Sequence, residues 1–268
     1  MPLDYRDPDG PTLPLALIRR PATSPAIRIG SLIVNPGGPG ASGYAFVRRA
    51  GLAGSLNERF DIVGFDPRGV GRSRGLSCSH QGVVQEFRAT DSDPDTQEEE
   101  LALDAVSERV ADACGADADL LPNMHTDFVA RDVEQIRQAV GDPKLTYLGF
   151  SYGTAIGLRY VELFPTNVRA MVLDGVVDPT LDLEQLLTAQ AEAIETALSA
   201  IFARCVGDPA CPTKEPEGLY DRVSTQLETS PIDAGTAMIG PAELTLAAIS
   251  ATYDRSLGNQ FVQSLELA

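Results

Sequence analysis

Residues Gly149-Phe150-Ser151-Tyr152-Gly153 stand between an apolar run, 145–150, and a segment of small residues that begins with Thr154, Ala155 and Gly157. A short apolar run between turn signals is a buried strand, and the small-residue segment that stops before Pro165 is a helix. A serine on so sharp a strand-to-helix turn has its hydroxyl lifted above a sheet, and the flanking glycines permit the crowding. The helix N-terminus favours negative charge at the same place. A plain packing turn is the competing reading, but the five residues sit in the right context for a nucleophile. Further strands are expected over 13–19, 27–35, 60–65 and 170–174, with helical stretches between them. Strands alternating with helices form βαβ units and a parallel sheet.

The helix expected from Thr126, its cap, carries Phe128, Val129, Val133, Ile136 and Val140 at three- and four-residue steps and stops at Gly141-Asp142-Pro143. After Pro179 the pattern changes. Residues 181–204, 216–228 and 241–268 read as helices without a strand between them, which suggests an α/β core over 1–179 and an incomplete helical cap over 180–268. At 268 residues and 43% hydrophobic, the chain can bury a sizeable core. Its formal net charge of −17 excludes nucleic acid and an anionic membrane surface as partners, because no basic stripe offsets the repulsion. No run of 18 apolar residues and no signal peptide is visible.

Acyl transfer needs backbone N–H groups aimed at a developing oxyanion. Tyr152, after the serine, supplies one. Asn35-Pro36-Gly37-Gly38-Pro39-Gly40, a glycine-rich loop after an earlier strand, supplies another from Gly37 or Gly38. The same loop invites a rival reading: Gly38-Pro39-Gly40-Ala41-Ser42-Gly43 fits the dinucleotide fingerprint, with Asp66 ending the next strand. The crowding prolines argue against it. Asp66-Pro67-Arg68-Gly69-Val70-Gly71-Arg72-Ser73 reads as a structural loop in which a buried Asp66–Arg68 pair braces the surroundings of the site. The serine also needs a base. The only two histidines, His80 and His125, both precede it, out of the Ser, Asp or Glu, His order of an α/β-hydrolase. Asp174 ends the strand after the elbow helix, where some hydrolases place the acid. Four cysteines lie at loop positions: Cys78 and Cys114 flank an acidic excursion, Cys205 and Cys211 a short Gly/Pro loop. An even count there suggests disulfides and an oxidising compartment. No metal or cofactor motif is visible.

Pro2-Leu3-Asp4-Tyr5, residues 35–43, residues 64–73, Arg131-Asp132, residues 149–154 and Leu173-Asp174-Gly175 together resemble the secreted tripeptidyl aminopeptidases, relatives of prolyl iminopeptidase in the α/β-hydrolase superfamily. The resemblance covers residues 1–180 and continues more loosely through the cap. It implies a serine exopeptidase that releases short peptides from free N-termini through an acyl-enzyme on Ser151. Gly37, Gly38 and Tyr152 would form the oxyanion hole, and a cap carboxylate such as Glu184, Glu192 or Glu195 would hold the substrate ammonium. It also implies export, and a catalytic Asp and His on a segment after the cap. The chain is therefore expected to be a fragment, inactive alone, lacking the last core strands, with strand 170–174 left as an open edge for a C-terminal segment or second chain. An esterase or lipase-like hydrolase, and a non-catalytic binding module descended from one, are the alternatives.

Overall fold

The computed structural model describes residues 1–49, 54–80, 82–233, 235 and 238–267. In chain order the elements are β1 (Leu17–Arg20), β2 (Gly30–Asn35), α1 (Gly43–Arg49), α2 (Ser55–Arg59), β3 (Phe60–Phe65), α3 (Gly82–Ala89) and α4 (Gln97–Ala113). Then come α5 (Thr126–Ala139), β4 (Leu145–Phe150), α6 (Tyr152–Leu163), β5 (Val168–Asp174), α7 (Leu183–Val206) and α8 (Pro216–Thr229). A short hairpin, β6 (Ile232–Asp233) and β7 (Met238–Ile239), precedes α9 (Pro241–Thr252) and α10 (Arg255–Leu265). They divide into two compact units. One holds Met1–Ser79 and Ala116–Thr180, the other His80–Gly115 and Leu181–Ala268, so the acidic excursion groups with the C-terminal helices.

Among the described residues of the first unit, five strands form one sheet in the order β1-β3-β2-β4-β5. Three of its four pairings, β3–β2, β2–β4 and β4–β5, are parallel, and β1 runs antiparallel to β3. Successive side chains of a strand point to opposite faces. Ile33, Val63, Phe65, Leu145 and Tyr147 therefore meet Val129, Val133 and Ile136 of α5 and Ile156 and Tyr160 of α6. Leu32, Val34 and Ile62 meet Val47 of α1 on the other side. With helices on both faces, β2 is buried at every position, which is why it lacks the polar alternation of a half-exposed strand. α1 crosses β3 so closely that a Cβ on Gly43 would lie 2.3 Å from Phe65 O, and one on Gly64 2.3 Å from Gly43 O.

Two buried polar hubs tie the first unit together. Arg68, 1% exposed, forms a bidentate pair with Asp132, donating from Nε (2.8 Å) and Nη2 (2.7 Å). Its remaining N–H groups reach the carbonyls of Leu3 (2.8 Å), Asn123 (2.9 Å) and Pro2 (3.2 Å). The Tyr5 hydroxyl donates to the same Asp132 carboxylate at 2.7 Å, and the guanidinium packs over the rings of Tyr5 and Phe128. Arg68 is thus braced by Asp132, and the expected pairing with Asp66 is not formed. In the second hub, Glu134 of α5 accepts from Arg137 (2.6 and 2.8 Å), Gln138 (2.8 Å), Tyr160 of α6 (2.6 Å) and Asn167 (3.2 Å). The Arg137 guanidinium, with the Tyr160 and Gln138 donors, holds the Glu134 carboxyl well below its ordinary range, at about 2.

Thr126 does not cap α5. His125 occupies the N-cap position without a side-chain cap bond, and the Thr126 hydroxyl instead lies 2.7 Å from the Tyr152 hydroxyl. At the sheet's far side, β5 pairs with β4 alone among the described residues, and Val172 is 60% exposed.

In the second unit, α4 and α7 start with reciprocal capping boxes, Thr96 with Glu99 and Asp182 with Gln185. Leu198, Phe202, Val223, Leu227, Leu244, Phe261 and Val262 make its core. The expected helix over 241–268 is two helices, because the Asp254 carboxylate accepts from Ser256 N at 2.7 Å and starts α10 afresh. The β6–β7 hairpin, Ile232 opposite Ile239, was not expected from the sequence. Cys205 and Cys211 are bonded, with sulfurs 2.02 Å apart. Cys78 and Cys114 are likewise in disulfides. Among the described residues no helix is long and apolar enough to cross a membrane.

Candidate active site

Ser151 has φ 50° and ψ −125°, one of two described non-glycine residues with positive φ. Such a conformation is strained and persists only where the surroundings fix it. Here its own N–H donates to Asp174 O (2.9 Å), and its carbonyl accepts from Thr154 N (2.8 Å) and Thr154 Oγ1 (2.6 Å). Thr154 Oγ1 in turn accepts from Val177 N at 2.9 Å, so β5 and the chain after it clamp the turn. Below it, the buried Tyr147 hydroxyl donates to Gly153 O at 2.8 Å. The elbow glycines are steric requirements. A Cβ on Gly149 would lie 2.5 Å from Gly153 O, and one on Gly153 2.8 Å from both Asn35 O and Asn35 Oδ1.

The glycine-rich loop packs directly against this turn. Gly37, at φ 90°, leaves no room for a side chain: a Cβ there would lie 2.4 Å from Phe150 O and 2.9 Å from Ser151 Cβ. The next peptide group, Gly38–Pro39, is cis. The two glycines differ in what their N–H groups do. Gly37 N–H donates to Asn35 Oδ1 at 2.9 Å, whereas Gly38 N–H has no acceptor among the described residues. Gly38 therefore carries the free donor, and Gly37 supplies the close approach. Tyr152 is the first residue of α6, where an N–H has no partner inside the helix. Asn35 itself is 1% exposed, and its Nδ2 finds no acceptor among the described residues. An unpaired buried donor costs about 1–3 kcal/mol.

Asp66 is fully buried and accepts from Ser42 Oγ (2.5 Å), Tyr44 N (3.1 Å) and Arg72 N (2.9 Å). Its carboxylate fastens the start of α1 to the loop after β3, so it offers nothing to a ribose. The third glycine of the dinucleotide pattern, Gly43, is explained by the α1–β3 crossing. The Asp174 carboxylate is exposed, and its residue meets the elbow through its backbone. His125 is exposed and packs at a tilt of 46° on Phe128, with ring centroids 4.0 Å apart, and no hydrogen bond joins it to Ser151. The His80 side chain lies outside the described residues. Glu184, Glu192 and Glu195 are all exposed on α7. Among the described residues no cluster of His, Cys, Asp or Glu is arranged to hold a metal ion.

Residues 30–214, which contain both the loop and the elbow, match the family described as the alpha/beta hydrolase fold. The chain belongs to that family. Within it, the chain is 42% identical over 217 residues to the serine protease Hip1 of Mycobacterium tuberculosis (strain ATCC 25618 / H37Rv), a match covering 79% of this chain and 41% of Hip1. It is 40% identical over 188 residues to the tripeptidyl aminopeptidase of Streptomyces lividans, covering 68% of this chain and 35% of the relative. It is 41% identical over 220 residues to carboxylesterase B of the same M. tuberculosis strain, covering 79% and 42%. The chain thus spans less than half the length of each relative. Three residues have roles that the motif reading did not assign: Asn35 and Thr126 beside the elbow, and Asp132 in the Arg68 hub. Asn35 and Asp132 were visible only as members of longer motifs, and Thr126 only as a helix start.

Proposed function

We propose that this chain carries the acylating part of a serine peptidase that acts on peptides with a free N-terminus. Ser151 Oγ, giving its proton to a base, attacks the scissile carbonyl, and the oxyanion accepts from the N–H groups of Gly38 and Tyr152; the C–N bond then breaks, the C-terminal portion leaves as an amine that takes up that proton, and the N-terminal portion remains on Ser151 as an acyl-enzyme. The observation that carries this reading is the strained Ser151 turn with the glycine-rich loop packed against it at Gly37, and with the Gly38 and Tyr152 N–H groups left without acceptors among the described residues. The peptidase relatives support the choice of peptide substrates. The Ser151 proton needs a base. We assign it to a histidine on a further segment or second chain that pairs with the exposed edge of β5, because His125 is not joined to Ser151 and a parallel edge strand has unpaired N–H and C=O groups. The oxidised cysteines favour an extracellular or otherwise oxidising compartment.

A fluorophosphonate probe applied to the wild type beside Ser151→Ala, each with the segment or second chain that carries the base present, tests the reading. Labelling that disappears in the variant is the expected result. Labelling that survives, or a wild type that never labels, would overturn it and favour a binding module. The carboxylesterase relative favours a second reading, hydrolysis of acyl esters on the same serine. Comparing a tripeptidyl anilide with a short acyl ester as substrates separates the two, the anilide being the preferred substrate on our reading.

A further inference from the structure

We propose that Asn35 is a positioning residue that sets the spacing between the two N–H groups assigned to the oxyanion, that of Gly38 and that of Tyr152. The proposal rests on the reading of Ser151 as the nucleophile. Those donors belong to segments more than a hundred residues apart in sequence, so something must hold them in register. Asn35 ends β2 and lies opposite Gly149 of β4 in the parallel ladder. From there it touches both segments. Its Oδ1 accepts from Gly37 N at 2.9 Å on the loop side. On the elbow side, its main-chain oxygen and Oδ1 crowd Gly153, where an added Cβ would come within 2.8 Å of each.

The bond to Gly37 also fixes which N–H faces the reacting atoms. With Gly37 N–H turned to Asn35 and Gly37 O accepting from Ala41 N at 3.2 Å, the peptide groups on both sides of the Gly37 Cα are anchored. The Gly37–Gly38 peptide is trans, so its N–H points opposite to the anchored carbonyl and away from Ala41. A glycine pair without these anchors has a wide choice of backbone conformations. The residue type fits the role. The position is 1% exposed, yet Nδ2 is left without an acceptor among the described residues, which packing alone does not explain. What the structure uses is the carboxamide oxygen.

Two variants and two readouts test this on the chain supplied with the segment or second chain that carries the base. Asn35→Ala removes the oxygen; Asn35→Asp keeps one in the same place. The first readout is the rate at which the fluorophosphonate probe labels Ser151, with the folded fraction fixed by circular dichroism. We expect Asn35→Ala to slow labelling on the order of a hundredfold, as loss of an oxyanion donor does, and Asn35→Asp to recover most of that loss. The second is amide hydrogen exchange at Gly37, expected to be protected in the wild type and in Asn35→Asp and unprotected in Asn35→Ala. Unchanged labelling in Asn35→Ala, equal slowing in both variants, or a Gly37 amide that exchanges freely in the wild type would each overturn the proposal. A wild type that does not label but keeps the Gly37 exchange pattern would overturn the nucleophile reading and with it the catalytic role of Asn35, leaving its grip on the loop established.

Discussion

Gly37→Ala concentrates two penalties at one position. It forces an L side chain to φ 90°, and it drives a Cβ to 2.4 Å from Phe150 O. Gly40→Ala carries only the first, because φ is 92° and nothing lies within 4 Å of an added Cβ. Gly37→Ala is therefore expected to cost several kcal/mol, lower the melting temperature and abolish probe labelling, whereas Gly40→Ala is expected to cost roughly 1–2 kcal/mol. Thermal melts of the pair beside the labelling assay check this, and equal losses would count against the close packing of loop on elbow. At this scale the sequence was informative where a residue type has few reasons to stand where it does. Ser151 between two glycines after an apolar run is such a case, and so is the double glycine of the loop. It was uninformative for Asn35, since an asparagine at a strand end is ordinary until its neighbour across the sheet is known. It also left Gly37 and Gly38 equivalent, because only the Asn35 bond separates a committed N–H from a free one.

The α5–α6 pair depends on charge as well as apolar packing. Glu134, on the buried side of α5, has its carboxyl depressed from 4.5 to about 2 by Arg137, Tyr160 and Gln138. A depressed carboxylate contributes stability that is complete above its unfolded pKa and is lost as pH falls through the folded value. The contribution is thus present above about pH 4.5 and fades between there and about pH 2, amounting to on the order of 3 kcal/mol for the carboxylate when fully ionised. Glu134→Gln is expected to melt lower than the wild type at pH 7, with the gap closing as the pH drops through that window. A gap that stays constant with pH would mean the carboxylate's charge is not what holds α6. Periodicity revealed α5 through Phe128, Val129, Val133 and Ile136, all of which are buried. It gave no hint of Glu134, whose polar side chain belongs by pattern on the solvent face and is held by Arg137 and Gln138 of its own helix together with Tyr160 of α6 and Asn167 after it. Helix 241–268 failed for a related reason: a cap such as Asp254 works only where the chain turns, and apolar residues continue on both sides of it.

For the first unit as a whole, the Arg68–Asp132 pair is a fully buried tie that joins positions 64 residues apart. Removing one partner of a buried pair leaves the other charge uncompensated. Arg68→Ala is expected to destabilise the unit by about 3–5 kcal/mol, and replacing both partners with apolar residues of similar volume is expected to cost much less. Chemical denaturation of the single and double variants decides this, and additive losses would count against the pairing. The sequence displayed Asp66 and Arg68 two residues apart and suggested that they pair. The sheet separates them instead, because Asp66 faces the start of α1 and Arg68 faces α5. The parallel sheet was legible from the alternation of apolar runs with helical periods. The grouping of 80–115 with 181–268 was not, since no local pattern says which distant segment an acidic helix packs beside. The Arg68 side chain has one more consequence. Three of its contacts are to main-chain oxygens, at Pro2, Leu3 and Asn123, and every amino acid presents the same oxygen there. Recognition of that kind is indifferent to spelling and sensitive to counting: substitutions at Pro2 leave the grip intact, while inserting or deleting one residue between positions 2 and 5 slides the carbonyls and the Tyr5 hydroxyl out of step with the guanidinium that holds them.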